Sequence, residues 1–564
     1  MFRLFRYLSN EVRGLQAAAY VLASAAFLSS LLALARDRLL AHTFGAGATL
    51  DIYYASFRIP DLIFVATGAL VSVYILIPEL AKRSDSEQKK YLDTIVLGFS
   101  IFACLVSLLA MIFAPNLLSV LFPQFVANGS LPTLVVLTRI ILLQPIFLGL
   151  SNILAAVTQA RHRYTLYALS PLLYNFGIIA GVGILYPLFG ITGLAWGVVV
   201  GAVLHMGVQA PSVIADGFFT KIPLMYYPRA LYETVLVSLP RALALSMNQI
   251  AFLGLTALAG LLTTGSIAIF IFAFNLASVP LAIIGASYSV AAFPTLAAAL
   301  SRGERDAFLS HVATAARYVF FWSLPATALI LVLRAHMVRV VLGSGHFDWT
   351  DTRLTAAVFA LLGLSLSAQG LTLLLIRGYY AAGRTFVPFL VSIATAALTI
   401  LLGIGFIDLF RNESALSFMQ GLMRLRDVEG SIVLALGLAY TIATITGAVA
   451  LVWHFNTRWE GFFARVSRSW AQSAIAALCA MTAAYVALYM VGPLEVGSTT
   501  ASVFLKGFAG GSGGIIVAIA AYWLLGSREL HETALALRGR FFREALPPPA
   551  GVPLASSAEE TPQS

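Results

Sequence analysis

Long apolar runs recur from one end of this chain to the other, and short polar stretches separate them. Each run holds about 18 residues or more, enough for a helix to cross the roughly 30 Å hydrocarbon layer of a bilayer. The runs are continuous and do not alternate between apolar and polar positions, which is typical of helices and not of a membrane β-barrel. The pattern therefore predicts an all-α polytopic membrane protein with about fourteen transmembrane helices.

Composition excludes a soluble fold. The 564 residues are 60% hydrophobic and only 11% charged, which is more apolar surface than a soluble protein of this size can bury. The predicted spans are 17–41, 50–80, 92–114, 133–157, 165–187, 190–214, 232–262, 265–299, 312–333, 354–377, 385–407, 431–453, 471–491 and 504–526.

The distribution of positive charge predicts the orientation of these spans. The chain has 35 Lys and Arg residues against 25 Asp and Glu, a net charge of +10. Most of the cations fall in loops on the side of the membrane that holds the N-terminus. Because cytoplasmic loops are enriched in Lys and Arg, we expect a multi-pass protein of the cytoplasmic (inner) membrane with both termini in the cytoplasm. This accounts for the net charge without a nucleic-acid partner.

An internal repeat is visible in two apolar segments. The stretch GALVSVYILIPELA (68–81) closes the second span, and GASYSVAAFPTLA (285–297) closes the eighth. Each carries Gly-Ala, Ser-Val and Pro-x-Leu-Ala in the same order, although small residues and proline also recur by chance in apolar sequence. A repeat of this period predicts two parallel six-helix halves, a common transporter architecture with its substrate site between the halves.

The repeat divides the chain into four parts. We expect an N-terminal half (1–216), a C-terminal half (217–456), two extra transmembrane helices (457–527), and a basic helix with a disordered cytoplasmic tail (528–564). The last part follows from a basic amphipathic pattern that gives way to a Pro- and Ser-rich end.

Charged residues inside the first two spans are the main functional signal. Arg36, Asp37, Arg38, Asp51 and Arg58 all lie in the stretch LARDRLLAHTFGAGATLDIYYASFRIPDL (34–62). A charge at the bilayer centre costs roughly 2.5–3.5 kcal/mol on insertion scales, so these side chains should face a partner or a wet cavity. Asp51 and Arg58 are expected two turns apart on one helix face. A cationic cavity wall suits an anionic substrate such as a phosphate, whereas interfacial anchoring is an alternative for Arg38 and Asp51.

Spans seven and eight correspond to spans one and two in the predicted repeat. They contain three further polar candidates, Arg241, Asn248 and Asn275. The asparagines are candidates for hydrogen bonds to substrate, with bonding between helices as the alternative. The chain shows no His-x-x-x-His pair, phosphate-binding loop or nucleophile elbow, so we expect neither an enzyme nor a metal or cofactor. The candidate substrate-binding residues are Arg36, Asp37, Asp51, Arg58, Arg241, Asn248 and Asn275.

The same stretch resembles the MurJ/MviN family, the lipid II flippases. The resemblance is carried by Arg36-Asp37, Phe44-Gly45-Ala46-Gly47, Asp51 and Phe57–Leu62, and the segment 272–297 is similar to the family's eighth helix. It implies the fold of the multidrug/oligosaccharidyl-lipid/polysaccharide exporters and alternating access around a central cationic cavity. It also implies an undecaprenyl-pyrophosphate-linked disaccharide pentapeptide as substrate, membrane lipids as neighbours, and a groove for the polyprenyl tail in the extra C-terminal helices.

The chain departs from the family pattern at several cation positions. Ser30 stands where the family usually has an arginine, Phe64 and Val65 replace an arginine pair, and Asn275 replaces another arginine. The leading hypothesis is a lipid II flippase that acts as a monomer. A flippase for another polyprenyl-linked glycan and a non-transporting scaffold derived from a flippase stay open. Membrane potential, protons or a monovalent ion could drive transport.

Overall fold

The computed structural model describes residues 15–68, 71–219, 223–492 and 498–541, with side chains omitted at 15–20, 74, 237, 240–241 and 537–541. Within these ranges the chain forms helices and loops and no β-strand, which confirms the all-α prediction. The predicted disordered tail after 541 lies outside the described residues.

The helices of the predicted N-terminal half are α1 (Leu15–Phe44), α2 (Ala48–Ser56), α3 (Arg58–Gly68), α4 (Val73–Ala81), α5 (Asp85–Leu121), α6 (Pro123–Ala127), α7 (Leu131–Ile141), α8 (Gln144–Ala160), α9 (Tyr164–Ala180), α10 (Tyr186–Phe189), α11 (Ile191–Gly207) and α12 (Ala210–Ala215). A π-helical turn, Gly181–Leu185, joins α9 to α10.

The helices of the remaining chain are α13 (Pro228–Gly260), α14 (Ser266–Leu281), α15 (Ser287–Ser301), α16 (Arg305–Val341), α17 (Trp349–Leu364), α18 (Leu366–Ala381), α19 (Phe386–Leu409), α20 (Glu413–Met423), α21 (Leu434–Arg458), α22 (Phe462–Val491), α23 (Thr500–Leu524) and α24 (Arg528–Phe541). A π-helical turn, Ala282–Ala286, joins α14 to α15, and a 3₁₀ turn, Ser431–Val433, precedes α21.

The helices match the predicted transmembrane layout. Eleven helical segments in the described ranges are long and apolar enough to cross a membrane, or twelve when α17 and α18, bent by 44°, count as one span. Helix α1 has 30 residues, and its length of about 45 Å exceeds the thickness of the hydrocarbon layer. Helical structure occupies every predicted span, so the chain is a polytopic membrane protein.

The second predicted span is not one helix, and this corrects the sequence-based picture. The segment 50–80 divides into α2, α3 and α4. Pro60 explains the first break, because its nitrogen cannot donate to the carbonyl of Ser56, where α2 ends. Asp51 therefore lies on α2 and Arg58 on α3, and the expectation that both share one face of a single helix is wrong.

Both repeat motifs fall where a helix loses its regular hydrogen bonding. In the first motif the described interruption is at Val71 and Ser72, directly before α4 begins at Val73. The second motif opens at Gly285, inside the π-helical turn between α14 and α15. The two interruptions lie at different positions within the motifs, so the internal repeat and the boundaries at 216 and 456 stay predictions.

Helices α9 and α11 pack more closely than larger side chains allow. A Cβ atom on Gly177 would lie 2.3 Å from the Cα of Gly201, and one on Gly181 would lie 2.8 Å from the Cα of Gly197. Small residues let helix backbones approach in this way. The contact holds α9, which carries the buried Asn175, in a fixed position.

The predicted halves contact each other at one end of the bundle, which we call the closed end and which holds the loops after α1, α13 and α16. There the backbone amide of Ala46 donates to Oδ2 of Asp351 (3.0 Å), joining the loop after α1 to α17. The amide of His346 donates to the carbonyl of His42 over 3.0 Å. Arg38 donates from Nη1 to the carbonyl of Val340 at 2.6 Å, near the C-terminus of α16, where a cation is favoured.

The C-terminal helices α22 and α23 pack against each other and against α16. Helix α24, the predicted basic helix, is attached to α16 by two acidic side chains. Oε1 of Glu529, which is 2% exposed, lies 3.3 Å from Nε of Arg317. The hydroxyl of Tyr318 donates to Oε2 of Glu532 over 2.7 Å. Specific polar contacts as well as amphipathicity therefore hold α24 in place.

Candidate functional site

The centre of the candidate site is the pair Arg36 and Asp37 on α1. Arg36 donates from Nε and Nη2 to Oδ1 of Asp37, over 2.9 and 2.8 Å. An asparagine from each predicted half completes the set. Nη1 of Arg36 donates to Oδ1 of Asn175 on α9 (3.0 Å), and Nδ2 of Asn275 on α14 donates to Oδ2 of Asp37 (2.9 Å). The pair thus links the two halves through hydrogen bonds.

A second arginine–aspartate pair lies on α3. Nη2 of Arg58 lies 3.3 Å from Oδ2 of Asp61, and its Nε donates to the carbonyl of Tyr54 over 3.2 Å. The guanidinium also sits 4.6 Å from the ring centre of Phe252 on α13, in the other half, close enough for a cation–π contact. Arg58 is 7% exposed, so each face of its side chain is covered by the protein.

The charges of these two pairs balance. Arg36 and Arg58 bring two positive charges, and Asp37 and Asp61 bring two negative charges. The sequence predicts a cationic cavity wall, whereas the described side chains of this cluster carry no net charge. Burial is the physical reason, because removing an arginine from water costs several kcal/mol unless a carboxylate or other acceptor compensates it.

Asp51 lies apart from these pairs, at the closed end. Its Oδ2 accepts from the amide of Gly265 (2.5 Å), and its Oδ1 accepts from the amide of Ala268 (2.9 Å). Asp51 thereby caps the N-terminus of α14 from the opposite half, where a carboxylate satisfies free amides and the positive end of the helix dipole. Its proposed contact with substrate stays a prediction.

The remaining predicted residues lie on α13. Asn248 is exposed and precedes Phe252 by one helical turn, so it shares the face that contacts Arg58. The backbone of Arg241 is part of α13, but its side chain lies outside the described residues. The structure therefore brings together Arg36, Asp37, Arg58 and Asn275, and it places Asn248 one helical turn from Phe252.

Sequence reasoning missed three residues of this cluster as site residues: Asn175, Asp61 and Tyr54. Asn175 was visible as a polar residue within span five, and Asp61 follows Arg58 by three positions, the spacing of a helical ion pair. The hydroxyl of Tyr54 is buried and has no hydrogen-bond partner among the described residues. Leaving such a group unsatisfied costs about 1–3 kcal/mol, and no sequence pattern signals it.

An apolar groove of about 620 Å³ lies between α22 and α23. Its lining includes Leu478, Thr482, Val486, Met490, Gly513 and Val517. The groove is in the extra helical pair, where the family resemblance implies a site for a polyprenyl tail, and its apolar walls suit a hydrocarbon chain.

Comparison with known proteins relates this chain to one family, both through a family model and through individual relatives. Residues 40–505 match the model of the family described as lipid II flippase MurJ. The lipid II flippase MurJ of Burkholderia cenocepacia is 25% identical over 397 residues, covering 68% of this chain and 76% of the relative. The probable lipid II flippase MurJ of Thermotoga maritima is 26% identical over 384 residues, covering 67% and 76%.

Solved structures agree on the fold. A lipid II flippase MurJ in an inward closed conformation matches with a TM-score of 0.70 at 19% identity, over 93% of this chain and all of that one. A multidrug resistance MATE family transporter in an inward-facing conformation matches with a TM-score of 0.61 at 14% identity, over 77% and 95%. Since the family model spans most of the chain, the protein belongs to the lipid II flippase MurJ family, a family of membrane transporters and not of enzymes.

Proposed function

We propose that this protein moves lipid II, the undecaprenyl-pyrophosphate-linked precursor of peptidoglycan, across the cytoplasmic membrane by alternating access. The observation that carries the proposal is the position of Arg36 and Asp37. The pair lies between the halves and is hydrogen-bonded to both, through Asn175 and Asn275. A group at this position would lose one of its hydrogen bonds when the halves separate.

Arg36 would bind the pyrophosphate. In the structure its guanidinium donates two hydrogen bonds to Oδ1 of Asp37 and one to Asn175. Phosphate oxygens accept the same forked donors in a bidentate manner. A pyrophosphate that enters between the halves would replace Asp37 on Arg36, and Asp37 would keep the hydrogen bond from Asn275. After the exchange Arg36 would have an anionic partner and Asp37 would retain one hydrogen-bond donor.

The carboxylate of Asp51 would act as a releasable contact at the closed end, because its two bonds run between the halves. In this proposal the closed end faces outward and both termini are cytoplasmic, in agreement with the positive-inside distribution. Lipid II would then enter from the cytoplasmic side, with its tail in the groove between α22 and α23. In this proposal one copy of the chain exchanges the substrate without a cofactor. Membrane potential, protons or a monovalent ion would drive transport.

The test is transport in liposomes with labelled lipid II, with and without an imposed potential and ion gradients. The matched variants are Arg36→Ala and Arg411→Ala, since Arg411 is an exposed loop arginine beside Asp408. We expect transport by the wild type and by the Arg411 variant, and its loss in the Arg36 variant. Folded wild-type protein that moves no lipid II under any gradient would contradict the proposal and direct attention to another polyprenyl-linked glycan or a scaffold role. Fusions of a reporter to either terminus test the orientation.

A further inference from the structure

The hydroxyl of Tyr54 is a buried donor without a partner. Tyr54 is 6% exposed, and no described group accepts or donates a hydrogen bond at its oxygen. Buried tyrosine hydroxyls usually find a partner. Tyr379, on α18, shows the ordinary case, because its hydroxyl lies 2.6 Å from Nδ1 of His454. An orphaned hydroxyl in a native site therefore needs an explanation.

The position of Tyr54 supplies one. Its ring packs edge-on against Phe272 of the other half, with ring centres 5.7 Å apart. Its own carbonyl accepts from Arg58, and the charges of Arg36, Asp37 and Arg58 all act on its side chain. The hydroxyl thus lies at the boundary between the halves, among the charges of the candidate site, and separation of the halves would uncover it.

The charge balance of the site indicates what such a donor could bind. Arg36 and Arg58 are each paired with an aspartate, so an anion that enters must compete with carboxylates for them. A neutral hydroxyl donates a short, charge-assisted hydrogen bond to a phosphate oxygen without repelling either arginine. It also has no acceptor to give up, because the structure shows none at this oxygen.

We propose that the Tyr54 hydroxyl donates a hydrogen bond to a phosphate oxygen of the lipid-linked pyrophosphate, as an additional substrate-binding group. The inference rests on the proposed function and adds a residue to it. It accounts for an unsatisfied polar atom being kept in the core of a transporter, since the partner arrives with the substrate. Tyr54 would then act beside Arg36 in a cluster whose described charges cancel.

The test compares Tyr54→Phe with Tyr379→Phe in nanodiscs. The first variant removes a hydroxyl that has no partner, and the second removes one that does. We expect Tyr54→Phe to bind lipid II about 10- to 100-fold more weakly, the loss of one hydrogen bond to a charged group, while its thermal unfolding midpoint is unchanged or higher. Tyr379→Phe should show the reverse, with a lower midpoint and unchanged affinity.

Competition by inorganic pyrophosphate identifies which part of the lipid the hydroxyl contacts. With lipid II held well below its dissociation constant for either protein, we expect pyrophosphate to displace it from the wild type at lower concentration than from Tyr54→Phe. Equal competition in both proteins would assign the hydroxyl to the glycan and overturn the proposal. Equal affinity of both proteins for lipid II would overturn it while leaving the flippase proposal intact. Folded wild-type protein without affinity for lipid II would overturn both.

Discussion

Asp51 on α2 caps α14, a helix of the other predicted half, through a hydrogen bond from the amide of Gly265 to its Oδ2 at 2.5 Å. Caps are usually local, made by a residue next to the helix they terminate. Here the cap crosses between α2 and α14, so the stability of the helix end depends on the halves staying together. The stability of the N-terminus of α14 therefore depends on the conformation of the whole transporter.

Removing the carboxylate of Asp51 should make the closed end open more often. Loss of a cap costs about 0.5–2 kcal/mol, which for a two-state equilibrium is roughly a 2- to 30-fold shift. We expect Asp51→Ala to speed labelling of a cysteine placed at position 275 by a membrane-impermeant thiol reagent added at the closed end, with Cys104 and Cys479 replaced.

The control for this experiment is Asp408→Ala, which removes an exposed carboxylate near the end of α19 that pairs with Arg411. Its labelling rate should match that of the parent protein. If Asp51→Ala also labels at the parent rate, the cap is structural only and does not hold the closed end shut.

Gly265 should tolerate no side chain. Its φ is +93°, and a Cβ atom would lie 2.1 Å from the carbonyl oxygen of Ala46 across the closed end. Gly129 has a similar φ of +73° with open space around it. Gly129→Ala should therefore lose only about 1–2 kcal/mol from backbone strain, seen as a small drop in the thermal unfolding midpoint. Gly265→Ala should lose more and should also label faster at the closed end, and equal effects of the two substitutions would refute the clash.

The ion pair between Arg317 and Glu529 should anchor α24. Glu529 is almost fully buried, so Arg317→Ala would leave a buried carboxylate without its cation, at a cost of about 3 kcal/mol. We expect a lower unfolding midpoint and proteolytic release of α24. Arg229→Ala breaks a pair whose partners are 92% and 61% exposed, and it should change stability by less than about 0.5 kcal/mol. Resistance of α24 to protease in the Arg317 variant would rule out the anchor.

The loop after α20 should respond to acid. Hydrogen bonds from Arg353 lower the pKa of Asp427 to about 2. Because this pKa is depressed, the pair stabilises the folded protein above the ordinary aspartate pKa of about 3.9, and the contribution disappears as the pH falls through about 2. The difference in unfolding midpoint between wild type and Asp427→Asn should be constant above pH ~4 and vanish near pH 2. A difference that persists at pH 2 would point to another cause.

Sequence reasoning identified Asn275, one hydrogen-bond partner of the Arg36–Asp37 pair, as a site residue and missed the other partner, Asn175. Arg36 and Asp37 were visible because a charge within an apolar span is costly and needs a partner, and Asn275 was visible as a polar residue in a repeat-mate span. Their bonding to one another was not, since it depends on how α9 and α14 approach α1. Asp51 shows the limit most clearly, because its partners are backbone amides, which every residue except proline carries.

The break in span two has a different origin. Hydropathy measures only how apolar a segment is, so it treats 50–80 as one span. Pro60 leaves the carbonyl of Ser56 without a hydrogen-bond donor. This is a local backbone effect, and hydropathy does not measure it. The orphaned hydroxyl of Tyr54 lies at the other extreme, because only the complete set of neighbours shows that no acceptor is present.

Regular helix is interrupted at Val71 and Ser72 before α4 and at Ala282–Ala286 before α15, which gives one candidate hinge in each predicted half. A helix bends most easily where its regular hydrogen bonds are interrupted. The segments on the closed-end side, α2, α3 and α14, can keep their packing around the charged cluster while α4 and α15 swing beyond the hinges. Bending at these two places would let the predicted halves rock while the packing around Arg36 and Asp37 stays intact.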